Sequence, residues 1–248
     1  MDLNLTALLI VIGCGLLIGI SKTGLPTLGI FVVAVMATVF PARESIGIVL
    51  PMLIIADIVA VTYYRRNADW ATLFRLIPWV SGGLLLGFLF LFFIDTSRAI
   101  EIALGIIVIS MVLLQIRNSL VKNKKASGDY STVFLVFIGT LAGFTTMIGN
   151  AAGPVMAIFL LAAGLQKRAF IGTGAWFFLA VNLIKVPLYS SLGLITADTL
   201  ILNAWMIPAI LIGTWIGIRL LQHIPQKWFN YSILILALLG GIRLFIGA

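Results

Sequence analysis

Charge is scarce in this chain. Only 10% of its 248 residues are Asp, Glu, Lys or Arg, against about a quarter in a soluble domain. Apolar residues make up 62% and the mean hydropathy is +1.19. There is too little polar side chain to coat a water-facing surface, so the composition excludes a soluble globule and implies a multi-pass membrane protein. Cysteine is reduced to Cys14, which excludes an internal disulfide and a thiolate metal cluster and leaves a small apolar packing role. The one histidine, His223, has no Cys or Glu nearby to share a metal and reads as a loop or interface residue. Missing too are a P-loop, an H-E-x-x-H pair and paired intramembrane aspartates. That argues against an intramembrane enzyme and a built-in ATPase, and no metal or cofactor is expected. The net charge of +8 is explained by basic loops on one side of a bilayer and implies no nucleic acid. The start Met1-Asp2-Leu3-Asn4 lacks the basic region of a secretory signal, so the first apolar run belongs to the fold.

What the chain has in quantity is apolar runs. Ten segments read out at 4–20, 25–40, 45–63, 74–94, 98–116, 131–148, 154–165, 169–191, 198–221 and 227–247. A full span needs about 20 residues; the second and seventh are shorter, and each has a proline in its first two residues, Pro26 and Pro154. Before them lie Gly19-Ile20-Ser21-Lys22-Thr23-Gly24-Leu25-Pro26 and Met147-Ile148-Gly149-Asn150-Ala151-Ala152-Gly153-Pro154. Irregular backbone at membrane depth survives only where protein or a wet cavity surrounds it, so both breaks read as half-helices or re-entrant hairpins. Paired breaks in two halves are the best sequence pointer to a transporter site.

The basic residues set the expected topology. Alternating loops put Lys22, Arg65, Arg66, Arg75, Arg117, Lys122, Lys124, Lys125, Lys167, Arg168, Arg219 and Lys227 on one side, against Arg43, Arg98 and Arg243 on the other. By the positive-inside rule the first side is cytoplasmic and both termini face outward, in an inner-membrane protein of the bacterial type. The polar run 119–130 divides a first repeat, 1–118, from a second, 131–248. Each carries five apolar segments, so the halves have opposite topology. Residues 43–64 lie over 168–189 without a gap, matching Arg43 to Arg168, Gly47 to Gly172, Asp57 to Asn182 and Tyr64 to Tyr189. Pro26 also meets Pro154, Pro78 meets Pro208, Gly83 meets Gly213 and Gly87 meets Gly217. The expected fold is thus an all-α integral membrane protein of about 8–10 apolar segments in two inverted repeats, with two broken hairpins near the midplane.

Charge inside a span is a functional hypothesis by default, and three residues meet it: Lys22, Asp57 and Lys185. Free N–H groups at the starts of the two short segments favour an anion. Lys22 adds charge, and Thr23, Asn150, Thr145 and Thr146 add hydrogen bonds. Gly24, Ala151 and Gly153 shape the two breaks. Thr173, Asn182 and Lys185 complete the expected site, with Lys185 equally readable as a snorkelling residue. Asp57 reads either as a carrier of a coupling proton or sodium ion or as a structural partner of one lysine. Gly172 and Gly174 read as close-packing positions, and Trp176 and Trp205 equally as packing, lipid-facing or substrate-wall residues. The expected partners are the lipid bilayer, a small anion, and H+ or Na+ if transport is coupled; a homo-oligomer stays open.

These residues resemble the sulfite exporter TauE/SafE family, also called the toluene-sulfonate uptake permease family. The resemblance spans nearly the whole chain. It rests on G-x-S-K-x-G-x-P at 19–26, P-A-R-E-S-x-G-x-x-L-P at 41–51 with Asp57 following, N-A-A-G-P at 150–154, F-x-G-T at 170–173 and N-x-x-K-x-P at 182–187. It implies a bacterial inner-membrane carrier of about eight spans for sulfite, sulfonates or sulfoacetate-like acids. The function expected is a secondary transporter for a small sulfur-containing anion, with an anion channel, a carrier of another organic acid and a non-transporting assembly subunit as alternatives.

Overall fold

A computed structural model describes residues 4–93 and 131–246 and scattered positions between 98 and 113. All regular structure among the described residues is helical: α1 (Leu5–Thr23), α2 (Gly29–Val39), α3 (Ala42–Tyr64), α4 (Trp70–Phe93), α5 (Thr132–Gly149), α6 (Ala152–Ala162), α7 (Lys167–Ser191), α8 (Ala197–His223) and α9 (Gln226–Ile246). The linker 119–130 lies outside the described residues, and the fifth apolar segment is described only at isolated positions.

Among the described residues six helices, α1, α3, α4, α5, α7 and α8, are long and apolar enough to cross a membrane. Helix starts follow the side chains that satisfy free N–H groups: Asn4 accepts from Ala7, Ser131 from Phe134, and Thr196 forms a capping box with Thr199. α2 and α6 have 11 residues each, about 16 Å at 1.5 Å per residue, roughly half the hydrocarbon thickness. The prolines sit differently from expectation. Pro26 opens a short 3₁₀ turn, Pro26–Leu28, before α2, and Pro154 is the third residue of α6, where its missing N–H still removes no helical bond.

The helices pair crosswise between the two halves of the chain. α1 lies along α8, α4 along α5, and α3 along α7. Glycine makes the first two seams. An added methyl at Gly19 would strike the backbone of Ile210 and Thr214, and one at Gly213 the backbone of Leu16. On the other seam, Gly83 abuts Thr140, and Gly143 abuts Val80 and Leu84. Small residues spaced four apart let helix backbones touch, which is how membrane helices gain packing without a hydrophobic drive between them. The α3–α7 pair is antiparallel: Gly172 meets the backbone of Tyr64, Asn182 meets Asp57, and Gly47 meets Leu194. The short helices complete the centre: α6 and the Pro26–Leu28 turn touch each other, and α9 covers α2, α6 and that turn.

Polarity is inside out. Leu85, Phe93, Trp205, Ile212 and Trp215 lie on the exposed surface, while Ser21, Thr23, Asp57, Thr145, Thr146, Asn182 and Lys185 are buried. Cys14 packs in an apolar cluster with Val11, Ile18 and Met52. Valine at Gly143 or Gly213 is expected to lower the melting temperature in detergent by the equivalent of about 1–3 kcal/mol, because the backbones must separate. Alanine at Gly13 or Gly82, which have nothing within 4 Å, is expected to hold or raise it, since alanine favours helix over glycine by up to about 1 kcal/mol. Intrinsic-fluorescence melts of the four variants measure both.

Candidate functional site

Both breaks end a long helix and turn the chain toward a short one. α1 ends on Lys22 and Thr23; Gly24 and Leu25 donate back to Ile20 at 2.8 and 3.2 Å, and the Ser21 hydroxyl donates to the Pro26 carbonyl at 3.0 Å. α5 ends on Asn150 in the left-handed conformation, φ 53°. Asparagine tolerates that region better than other side chains, and its N–H closes on Thr146 at 3.0 Å. Lys22 and Asn150 therefore sit at the C-terminal ends of α1 and α5, ahead of the short helices. The two breaks meet: a methyl on Gly153 would lie 3.0 Å from the Pro26 carbonyl oxygen.

Lys22 is not a loop residue. Its Nζ lies 2.9 Å from Asp57 Oδ1, with the lysine side chain 8% exposed and Asp57 fully buried. The same ammonium sits 3.9 Å from the centroid of the Phe178 ring, whose negative face attracts a cation. Asp57 Oδ2 accepts from Asn182 Nδ2 at 2.7 Å. The aspartate is thus held by α1 on one oxygen and α7 on the other. With Lys22 inside the protein, the loop bias rests on eleven residues against three, and its sense is unchanged.

Lys185 is fully buried and does not snorkel. Its Nζ donates to Thr146 O at 3.0 Å, Thr146 Oγ1 at 3.1 Å and Asn150 Oδ1 at 2.5 Å. Asn150 Nδ2 in turn donates to the Ile46 carbonyl at 2.9 Å. All the acceptors on Lys185 are neutral. Among the described residues Lys22 pairs with Asp57, and Lys185 has no carboxylate within ion-pair distance. Asn182 Oδ1 is buried without a hydrogen-bond partner among the described residues. Two tyrosines close the ends of the central pair: Tyr64 donates to Thr23 O at 3.2 Å, and Tyr189 to Met147 O at 2.6 Å.

A cavity of about 30 Å³ lies where the breaks meet, with Ser21, Lys22 and Asn150 among its polar lining and Leu53, Met156 and Phe178 among its apolar lining. That is space on the scale of one or a few waters. Of the residues expected at the site, Lys22, Asn150 and Gly153 line this cavity. Asp57, Asn182, Thr146 and Lys185 form the network behind it. Thr23 turns its hydroxyl to Gly19 O and Thr214 O, both at 2.9 Å; Gly24 packs on the Gly217 backbone; and Ala151 is buried, with its N–H on Thr145 O. Thr173 is elsewhere: its hydroxyl accepts the Asp69 N–H at 2.8 Å and clamps the loop after α3 onto α7. Gly174 lines the cavity and Gly172 packs on Tyr64. Trp205 is 77% exposed, and Trp176 stacks near Trp70 with its ring centroid 5.1 Å away. Ser21 and Tyr64 had a signal in the sequence, in the G-x-S-K break and the Tyr64–Tyr189 match. Phe178 and Leu53 had none, because an apolar residue in an apolar helix carries no mark of what it faces. Among the described residues no three His, Cys, Asp or Glu are placed to hold a metal.

Lys22→Met is expected to cost about 3–5 kcal/mol by stranding a buried carboxylate. Adding Asp57→Leu should recover most of the loss. Thermal unfolding of the two single variants and the double in detergent checks this; a double variant falling by the sum of the singles would contradict the pairing.

Compared with known families, the chain matches the model described as Sulfite exporter TauE/SafE over residues 11–244. Comparison with curated proteins and with solved structures gives no match.

Proposed function

The chain belongs to the sulfite exporter TauE/SafE family of membrane transporters, and on that premise we propose that it is a secondary transporter for a small anion, a sulfur oxyanion or organosulfonate such as sulfite or sulfoacetate. One observation carries this reading: two buried lysines, Lys22 paired with Asp57 and Lys185 held by neutral acceptors, beside a cavity at the two breaks. An unpaired charge in the membrane interior is costly. A monovalent anion at the breaks offsets the excess, and it would meet Lys22, Ser21 and Asn150 first, with Asp57, Asn182 and Lys185 fixing their positions. The small cavity fits a closed state that must widen before substrate binds. The family's name speaks of export.

The reading includes a two-fold relation between the halves and a carrier that rocks about it. Its support is the crosswise pairing, α1 with α8 and α4 with α5, about the central α3–α7 pair, together with Asp57 opposite Asn182 and the matching caps of Tyr64 and Tyr189. The eleven-to-three bias of basic residues supports basic loops in the cytoplasm and termini outside. The chain has no P-loop, which supports a gradient of protons, sodium or the substrate itself as the driving force.

A thermal-shift scan over sulfite, sulfate, thiosulfate, taurine, isethionate, sulfoacetate, acetate and chloride tests the reading. A bound anion at 100 times its Kd stabilises by about 2.7 kcal/mol. Asn150→Gly keeps the left-handed cap and removes the amide, and is expected to lose that shift. Lys185→Met is expected to lose it too, while the anion-free protein becomes no less stable, because an apolar chain replaces an unpaired buried charge. Uphill accumulation in proteoliposomes under an imposed gradient is the expected transport result. No shift with any of the eight anions would overturn the proposal.

A further inference from the structure

A second cavity, of about 80 Å³, opens where the ends of α3 and α8 meet the start of α7, lined by Tyr63, Tyr64, Lys167, Arg168, Leu221 and Gln222. No acidic residue lines it. Its two cations have different duties. Lys167 Nζ is committed to the C-terminal end of α8, donating to Leu221 O at 2.9 Å and Ile224 O at 2.8 Å. Arg168 is exposed and makes no ion pair among the described residues. The nearest carboxylate in the adjoining loop, Asp69, is occupied by the N–H and hydroxyl of Thr72 at 3.2 and 2.8 Å. Tyr63 already accepts a hydrogen bond from Gln222 Nε2 at 3.1 Å, so its own O–H is left to donate. The lining therefore presents a guanidinium and a phenol, both donors, in a pocket whose wall is fixed by the clamp of Asp69 on Thr173.

Tyr64 links the outer cavity to the end of α1. It lines the outer one, and its hydroxyl reaches the carbonyl of Thr23, the residue after Lys22, which lines the inner one. On α7 the step is equally short: Arg168 belongs to the outer cavity, Phe170 and Ile171 to the inner. Arg65, Arg66 and Arg219 lie exposed on the same side. Together they attract anions toward this mouth.

We propose that the Arg168–Tyr63 pocket is a second anion site, which takes a small oxyanion head from the side of the basic loops and passes it across Tyr64 to the break at Lys22. The loading role rests on the anion-carrier reading; the site itself does not. A planar guanidinium suits an oxyanion, whether free or the phosphate of an anionic lipid. The position against Tyr64 favours the free ion.

The test is equilibrium binding of labelled sulfate to delipidated protein in detergent at low ionic strength, with native mass spectrometry against phosphatidylglycerol and phosphatidylcholine in parallel. Arg168→Gln is expected to weaken one class of sulfate site by about tenfold, the loss of a charge-assisted contact, and Arg168→Lys to keep part of it. Lys185→Met should leave this class in place while removing the buried one. Sulfate binding that is the same in Lys185→Met and in Lys185→Met with Arg168→Gln would overturn the site. Phosphatidylglycerol lost from Arg168→Gln and competing with sulfate would make the lipid the occupant and overturn the loading role. A missing Lys185-dependent class with an intact Arg168-dependent one would sink the carrier reading and its loading step, and leave this site standing.

Discussion

The ion pair between Lys22 and Asp57 is the constraint around which the rest is arranged. A carboxylate in the middle of a membrane helix needs a cation at hydrogen-bond distance, and the cation must come from backbone that can bring it there. α1 supplies it by ending inside the protein, so the lysine of its last turn faces α3 at 2.9 Å. Phe178 takes one side of the ammonium and Asn182 takes the second oxygen of the aspartate. Three helices, α1, α3 and α7, are thereby tied at one point. α1 stops at this polar point, and Gly24 and Leu25 lead into the short turn Pro26–Leu28 before α2.

The glycine seams make that point reachable. With α1 against α8 and α4 against α5 at backbone contact, the two broken ends are drawn toward the central α3–α7 pair, where side chains of ordinary length span the gap. The second break has different chemistry. Asn150 stands four residues before Pro154, as Lys22 does before Pro26, and it carries an amide where the first break has an ion pair. Lys185 enters from α7 and finds only neutral acceptors. The two breaks thus differ: an ion pair at the first, and a buried lysine among neutral acceptors at the second.

Tyr64 and Tyr189 mark the limits of this centre. Each ties the end of a central helix to a carbonyl in the last turn of a broken one. Each tie is a hydrogen bond of modest net strength, about 1 kcal/mol.

Much of this architecture was legible in the residues. Scarce charge and long apolar runs determined a multi-pass helical protein, because backbone in a bilayer must satisfy its own hydrogen bonds. Gly, Pro and Asn at 19–26 and 147–154 determined where two helices stop, since that depends on local backbone chemistry. The same residues put Lys22, Asp57, Asn150 and Lys185 in apolar surroundings. The tertiary structure alone decided which of them meet. Asp57 had two lysines to choose from, and the choice of Lys22 follows from α1 and α3 touching at that height. Lys185 went to Asn150 because α7 passes the end of α5 there. It also took Thr173 away from the site, and brought in Phe178, whose role depends on the face it turns inward. Partner choice between distant helices rests on crossing positions set by glycine contacts and packing, and no single segment carries that information.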